Sequence, residues 1–366
     1  MNVLIIGADG FIGKNLYHRL LSQKKINLYS ITKKTSQKYF KEYIYKSDII
    51  FHFAGSNREN EKKKFTENNF LLTKKICKIL KKKSKKTKLI YTSTSHIKKK
   101  NYYGISKKQA EIELIKLDKK LINLYIFRLP NIFGKWSKPN YNSVVATFCN
   151  DTINKKKLNI IQDKKIKFLY IDTLIDNFLK LLKNKKNTKI FHEIKNYTEI
   201  SVKKLAKKIE TFHEKLSQSE IPNIKNNFDK NLYSTYLSYL DQNKAYYKIN
   251  RNKDQRGQFV ELFKNKSIGQ VSFFSINKNK IRGQHYHNSK IEKFFLIKGK
   301  AKFEFLNIIT KKKYSITISE KNNKIIFTLP GWSHKIKNIG GEKALFVVWA
   351  NEIFDINKPD TYFYKI

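Results

Sequence analysis

An apolar strand, a glycine-rich turn and an amphipathic helix follow one another without interruption in NVLIIGADGFIGKNLYHRLL, residues 2–21. Gly7, Gly10 and Gly13 fall at G-x-x-G-x-x-G. The first permits a tight turn out of the strand, and the second lets backbone approach a pyrophosphate. The third lets the helix pack closely on the strand, and the helix N-terminus then faces the phosphates. A glycine triplet alone is a weak signal. Set between strand and helix, it predicts a parallel α/β sheet that binds a dinucleotide.

Three further apolar runs fit that sheet: INLYSITKK (26–34), SDIIFHFAG (47–55) and TKLIYTSTS (87–95). Together they read as a Rossmann domain. NAD-preferring sites usually carry an acidic residue near the end of the second strand, for the ribose 2′-hydroxyl. Here Thr32, Lys33 and Lys34 stand instead, and lysine would welcome a 2′-phosphate. The expected cofactor is therefore NADPH. Phe11 and Ile12 within the glycine turn, with Ala54 and Gly55 at the end of the third strand, complete the expected cofactor-binding set.

The catalytic signal is NYYGISKKQAE, residues 101–111. Tyr103 and Lys107 are four apart, which puts them on one face of a helix. A lysine there lowers the phenol's pKa and binds the nicotinamide ribose, leaving the tyrosine to protonate a carbonyl oxygen. Tyr29/Lys33 and Tyr286/Lys290 share the spacing, so context must choose. Tyr103 follows the Thr/Ser-rich strand end, from which Thr94 can bond the same carbonyl, and it opens an amphipathic helix. These segments resemble the extended short-chain dehydrogenase/reductase family, as do FRLPNIFG (127–134) and FLYIDTLIDNFLKLL (168–182). Members commonly act on nucleotide sugars. Asn131 and Asn142 are the expected substrate-binding residues.

From about residue 245 the texture changes to short alternating strands: QVSFFSI, KFFLIKG, KAKFEFL, YSITI, KIIFTLP and ALFVVWA. Regular short strands with turn signals predict a sandwich or barrel. Within GQHYHNSKIEKFFLIKG (283–299), His285 and His287 alternate onto one side of a strand, and Glu292 follows five residues later. LPGWSHKIKN (329–338) supplies His334. Two histidines at i and i+2, a glutamate, a glycine seven beyond it and a distant histidine resemble the double motif of the cupins. One departure is that Pro330 and Gly331 are adjacent, where cupins usually place a residue between them. His285, His287, Glu292 and His334 are thus candidate ligands for a divalent metal such as zinc, although the donor types admit other metals. RGQHYH (282–287) also resembles the cupins of dTDP-sugar 3,5-epimerases, where the histidine after R-G-x is a base without metal. His285 is therefore ligand or base.

The fold expected is α/β: a Rossmann domain over 1–243, then an all-β cupin (jelly-roll) domain over 244–366. The Tyr-rich stretch 220–256 reads as the join. The formal charge is +48, from 77 Lys and Arg against 29 Asp and Glu. The excess is spread along the chain, in KKKSKKTK (81–88), a Lys/Asn tract from Lys183 and TKKKYS (310–315). Spread charge reads as solvated surface and names no specific nucleic acid. Cys77 and Cys149 are in no paired spacing, so a reducing cytoplasm and no disulfide are expected. MNVLIIG is too short for a signal peptide or a membrane span, so no membrane insertion is expected.

Long stretches outside these motifs, GKWSKPNYNSVVATFC (134–149), NLYSTYLSYL (231–240), NEIFD (351–355) and KPDTYF (358–363), resemble bifunctional capsular-polysaccharide enzymes that join a reductase to a cupin. The resemblance implies a UDP-2-acetamido-2,6-dideoxy-L-hexos-4-ulose substrate. The cupin would epimerise it at C3, and NADPH would reduce C4 to give UDP-N-acetyl-L-talosamine. It also implies a zinc-bearing cupin and a homodimer held through the cupin domains. Two other readings stand beside it: a reductase whose cupin only dimerises, and a basic nucleic-acid binder on an inactive scaffold.

Overall fold

Residues 3–6 are almost wholly shielded from solvent, none more than 1% exposed. Such a run needs cover on both faces of its sheet. The computed structural model, which describes residues 1–98, 100–183 and 189–366, supplies it. Most of the Lys/Asn tract from Lys183 lies outside the described residues. In chain order come β1 (Asn2–Ile6), α1 (Phe11–Leu21), β2 (Asn27–Ile31), α2 (Gln37–Lys46) and β3 (Ile49–His52). Then α3 (Lys62–Phe65) runs through a π-helical stretch, Thr66–Leu71, into α4 (Leu72–Leu80). β4 (Thr87–Thr94), α5 (Tyr102–Ile115), β5 (Ile122–Leu129), β6 (Asn131–Phe133), α6 (Val144–Ile153) and β7 (Lys165–Tyr170) follow. The series ends with α7 (Ile171–Lys183), β8 (Phe191–His192), β9 (Thr198–Ser201), α8 (Val202–Ser217) and α9 (Asn227–Leu237).

The main sheet is parallel throughout, in the order β2-β1-β3-β4-β5-β8. Alternation along β1 feeds two layers. Val3 and Ile5 pack with Leu16 and Leu20 of α1 and Phe178 of α7. Leu4 and Ile6 pack with Ile76 and Leu80 of α4 and Leu114 of α5. Cys77 lies in that second layer and Cys149 is buried in α6, both as free thiols. The chain leaves β1 for β2 on one side and returns to β3 on the other. That reversal opens a crevice at the carboxyl ends of β1 and β3, where ligands of such sheets bind.

NLYSTYLSYL forms most of α9, which packs against α6 and buries Leu232 and Tyr236. The stretch expected to be a plain join is thus partly a helix of the first unit. Compact units comprise Met1–Glu210 with Asn226–Leu240, and Thr211–Lys225 with Asp241–Ile366. The chain therefore passes between them three times, the last at 240/241, three residues before the division expected at 243/244.

The second unit is built of antiparallel strands. Its first are β10 (Asn252–Asp254), β11 (Gly257–Asn265), β12 (Gly269–Ile276), β13 (Ile281–Tyr286), β14 (Glu292–Lys298) and β15 (Lys300–Asn307). The rest are β16 (Lys313–Ser319), β17 (Ile325–Phe327), β18 (Trp332–Asn338), β19 (Ala344–Ala350) and β20 (Tyr362–Phe363). One sheet runs β10-β11-β12-β19-β14-β17, the other β16-β15-β18-β13-β20. All six apolar runs expected as strands form strands. Phe274, Phe294, Phe303 and Phe346 fill the core, with Phe274 stacked on Phe346 at 4.9 Å. Residues 211–225 belong here because Ile221 donates its N–H to the Lys264 carbonyl (2.8 Å) and accepts from the Asn265 amide (2.7 Å).

The first of these sheets is apolar on both faces. Phe294, Ile326, Phe346 and Val348 point into the core. The register sets Phe295 beside Ile325 and Val347, and Phe273 beside Val347, on the opposite face. There Ile325 is 55% exposed and Phe327 50%. Among the described residues, no helix is long and apolar enough to cross a membrane.

Candidate active sites

The glycine turn closes on itself as tightly as its spacing implies. Gly7 has φ +89°, and a Cβ there would lie 2.7 Å from the Ala54 nitrogen. A Cβ on Gly13 would lie 2.1 Å from the Gly7 carbonyl. Gly10 caps α1, and half-buried Phe11 and Ile12 begin it. The free N–H groups of that first turn can receive a phosphate. Ala54 and Gly55 border the turn from β3, while Thr32 and exposed Lys33 follow the end of β2. The expected cofactor set therefore gathers round one crevice.

Thr94 ends β4. Asn101 caps α5 by accepting from the Gly104 N–H at 2.7 Å, which starts the helix where Tyr103 and Lys107 share a face. Burial raises the Tyr103 phenol's pKa, and its hydrogen bond with Thr94 works against that. Lys107 is 5% exposed; its Nζ donates to the Thr92 carbonyl at 2.7 Å and lies 4.2 Å from the Tyr91 ring centre. Burial lowers this lysine to about 7, against the pull of Glu111. At neutral pH it can gain or lose a proton readily.

Two features were not foreseen from sequence. In the π-helical stretch, buried Asn69 donates to the Ser56 carbonyl (2.9 Å) and Ser106 Oγ (3.0 Å) and accepts from Ser56 N–H (2.9 Å). It ties the loop after β3 to the helix carrying Tyr103. Its partners are 13 and 37 positions away, so no local pattern marks it. Arg58 donates to the carbonyls of Asn140 (3.2 Å) and Tyr141 (2.5 Å), and the Tyr141 hydroxyl donates back to the Arg58 carbonyl. This clasp holds exposed Asn142 beside the same loop. Asn131, also exposed, opens β6.

In the second unit the four candidate ligands converge, their ligand atoms all within 4.8 Å of one another. Left-handed φ angles at Gly283 (+94°) and Gln284 (+64°) make a bulge in β13 immediately before His285. A Cβ on Gly283 would meet the His334 carbonyl at 2.5 Å, so this approach requires glycine. Past the bulge His285 faces His334, with ring centres 4.5 Å apart. Glu292 Oε2 lies 3.2 Å from His287 Nε2 and 3.5 Å from His334 Nε2. Burial holds His285 down to about 4 and His334 to about 3, so both imidazoles are neutral near pH 7. Burial would raise Glu292, but His287, His334 and His285 hold it at about 2. Neutral imidazoles and an ionised carboxylate are what coordination demands. Ligands about 2.0–2.2 Å from a tetrahedral ion stand about 3.3–3.6 Å apart, close to the two Glu292 contacts. The residues fit a divalent metal.

Residues 3–194 match the NAD dependent epimerase/dehydratase family, and residues 252–362 match the polysaccharide biosynthesis C-terminal domain. The chain is 38% identical over 364 residues to the UDP-2-acetamido-2,6-beta-L-arabino-hexul-4-ose reductase of Pseudomonas aeruginosa, covering 99% of this chain and 98% of that protein. Among solved structures it is similar to the capsular polysaccharide assembling protein CapF of Staphylococcus aureus, with TM-score 0.92 and 31% identity over the whole of both chains. A UDP-glucuronic acid 4-epimerase of Bacillus cereus, solved with UDP-glucuronic acid and NAD, matches 65% of this chain and 99% of its own. Its TM-score of 0.56 and 18% identity are a likeness of fold alone.

Proposed function

The chain belongs to the NAD dependent epimerase/dehydratase family, and from that premise we propose that it is a bifunctional nucleotide-sugar enzyme of polysaccharide synthesis. Its substrate is a UDP-2-acetamido-2,6-dideoxy-L-hexos-4-ulose. The second unit inverts C3, and the first reduces the C4 ketone to give UDP-N-acetyl-L-talosamine. One observation carries the reading: a chain 38% identical to a 4-ketosugar reductase holds both the Thr94, Tyr103 and Lys107 set and a cluster of three imidazoles and a carboxylate.

NADPH, held by the glycine turn with Lys33 available to its 2′-phosphate, supplies a hydride when bound. Tyr103 gives its phenolic proton to the C4 oxygen as the alcohol forms, and Thr94 orients that phenol. Lys107, when charged, stabilises the phenolate left behind. In the cupin, His287, Glu292 and His334 would hold a divalent metal, zinc by choice, and such an ion would supply Lewis-acid stabilisation of negative charge beside the ketone. His285, neutral, takes the C3 proton. His285 passes that proton to water, and a proton from water added to the other face of the enolate inverts the carbon. Reduction at C4 then fixes the result, because an alcohol does not enolise.

A homodimer is part of this reading. The outward apolar face of the sheet carrying Phe295, Ile325 and Phe327 is the surface for a second copy.

Incubation with the 4-ketosugar nucleotide in deuterated water, with and without NADPH, is the test. Deuterium should enter C3 without NADPH, and added NADPH should be consumed one for one, faster than NADH. Reduction without exchange would leave a monofunctional reductase. Neither activity would end the proposal.

A further inference from the structure

The stretches NEIFD and KPDTYF take no part in the chemistry above, yet both reach the candidate metal site. Asp360 lies beyond the last long strand, 73 positions from His287. Its main-chain carbonyl accepts from His287 Nδ1, which turns the other nitrogen, Nε2, toward Glu292. Its carboxylate accepts four hydrogen bonds from the turn that follows: Asn288 N–H (2.9 Å), Ser289 N–H (2.7 Å), Lys290 N–H (2.8 Å) and Ser289 Oγ (3.1 Å). That turn separates the histidine pair from Glu292. Asn351 holds its far end, accepting from the Ile291 N–H at 2.9 Å.

The residues after Asp360 continue the grip. β20 pairs His285 with Phe363 and Tyr286 with Tyr362, and the Tyr286 and Tyr362 rings stack at 5.3 Å. Tyr364 donates its N–H to the Gln284 carbonyl at 2.9 Å and accepts from Ser333 Oγ at 2.6 Å. Gln284 is the non-glycine residue held at φ +64°, a conformation that persists only where its surroundings impose it. Ser333 precedes His334. One short segment thus touches the backbone beside two of the four candidate ligands, the hydroxyl of the residue beside a third, and the side chain of one.

We infer that residues 360–364 are a strap that presets the metal site, with Asp360 as its positioning residue. A carbonyl accepting the second imidazole N–H fixes the ring's tautomer and aim, and such outer partners typically govern metal affinity about 10–100-fold. The carboxylate's role is to hold that carbonyl and the turn in place together. This inference rests on the metal-site reading above.

The experiment compares the full-length chain with Asp360→Ala and Asp360→Asn. Zinc affinity is measured by competition with a chromophoric chelator, and ligand geometry by the visible spectrum of the cobalt-loaded protein. Thermal unfolding of each metal-free variant reports its fold; if Asp360→Ala does not fold, the near-isosteric Asp360→Asn carries the comparison. Affinity should fall about 10–100-fold for Ala and less for Asn, with an altered cobalt spectrum in both. Folded variants that bind zinc as tightly as the unaltered chain, with the same cobalt spectrum, would overturn the strap and leave the metal site standing. An unaltered chain that binds neither metal would overturn both.

Discussion

Lys107 has the ionisation best suited to a switch near neutral pH. Buried against Thr92 and Tyr91, it carries its charge below about pH 7 and loses it above. The phenol of Tyr103 is a better proton donor while that charge is present. kcat/KM for reduction should therefore fall as pH rises through about 7, since this ratio reports the free enzyme. Lys107→Met should remove that limb, and a profile unchanged by the substitution would refute the role. Tyr103→Phe should cost about 10²–10⁴ in reduction while C3 exchange continues. Helical context separates this pair from its look-alikes: Tyr29 lies in β2, where four residues span about 13 Å and cannot meet. Asn69 was invisible beforehand, because nothing in TENNFLL distinguishes it from Asn68 until the π-helical turn aims it at Ser56 and Ser106.

Among the elements, the sheet with two apolar faces makes the sharpest demand on surroundings. A strand with water on one side alternates apolar with polar residues, but EKFFLIK of β14 does not. Its periodicity identifies a strand without saying which side is core. Register does, placing Phe294 inward and Phe295 outward beside Ile325. Ile325→Glu with Phe327→Glu puts charge on that outward face without touching the core. If the proposed homodimer forms through this face, the pair should convert it to monomer in sedimentation, with little change in melting of the monomeric unit. Retained dimer would move the interface elsewhere. Shorter elements escaped sequence reading: β20 is two residues long, and the bulge of β13 depends on the close approach of His334, 51 positions after Gly283.

For the molecule as a whole, the glycine turn and the histidine pair made two folds legible, but not how the chain is divided between them. Among the described residues the buried lysines are Lys83, Lys107 and Lys290, so the large positive charge sits almost wholly in solvent. The path of 211–225 was hidden because its attachment runs largely through its own backbone, from Ile221 to the Lys264 carbonyl and the Asn265 side-chain amide. Each such hydrogen bond contributes about 0.5–1.5 kcal/mol. A fragment of residues 241–366 should therefore melt several degrees below one of 211–366, as calorimetry can measure; equal melting would make the segment idle.

A fusion of two folds ordinarily leaves a seam where a single crossover could trade one partner for another. This chain has none. Its second unit owns a stretch enclosed by stretches of the first, so any one exchange of genetic material between 211 and 240 delivers an incomplete copy of both. Replacing the cupin would take coordinated changes at separate places. The interleaving thus leaves no single point between 211 and 240 at which either unit could be exchanged whole.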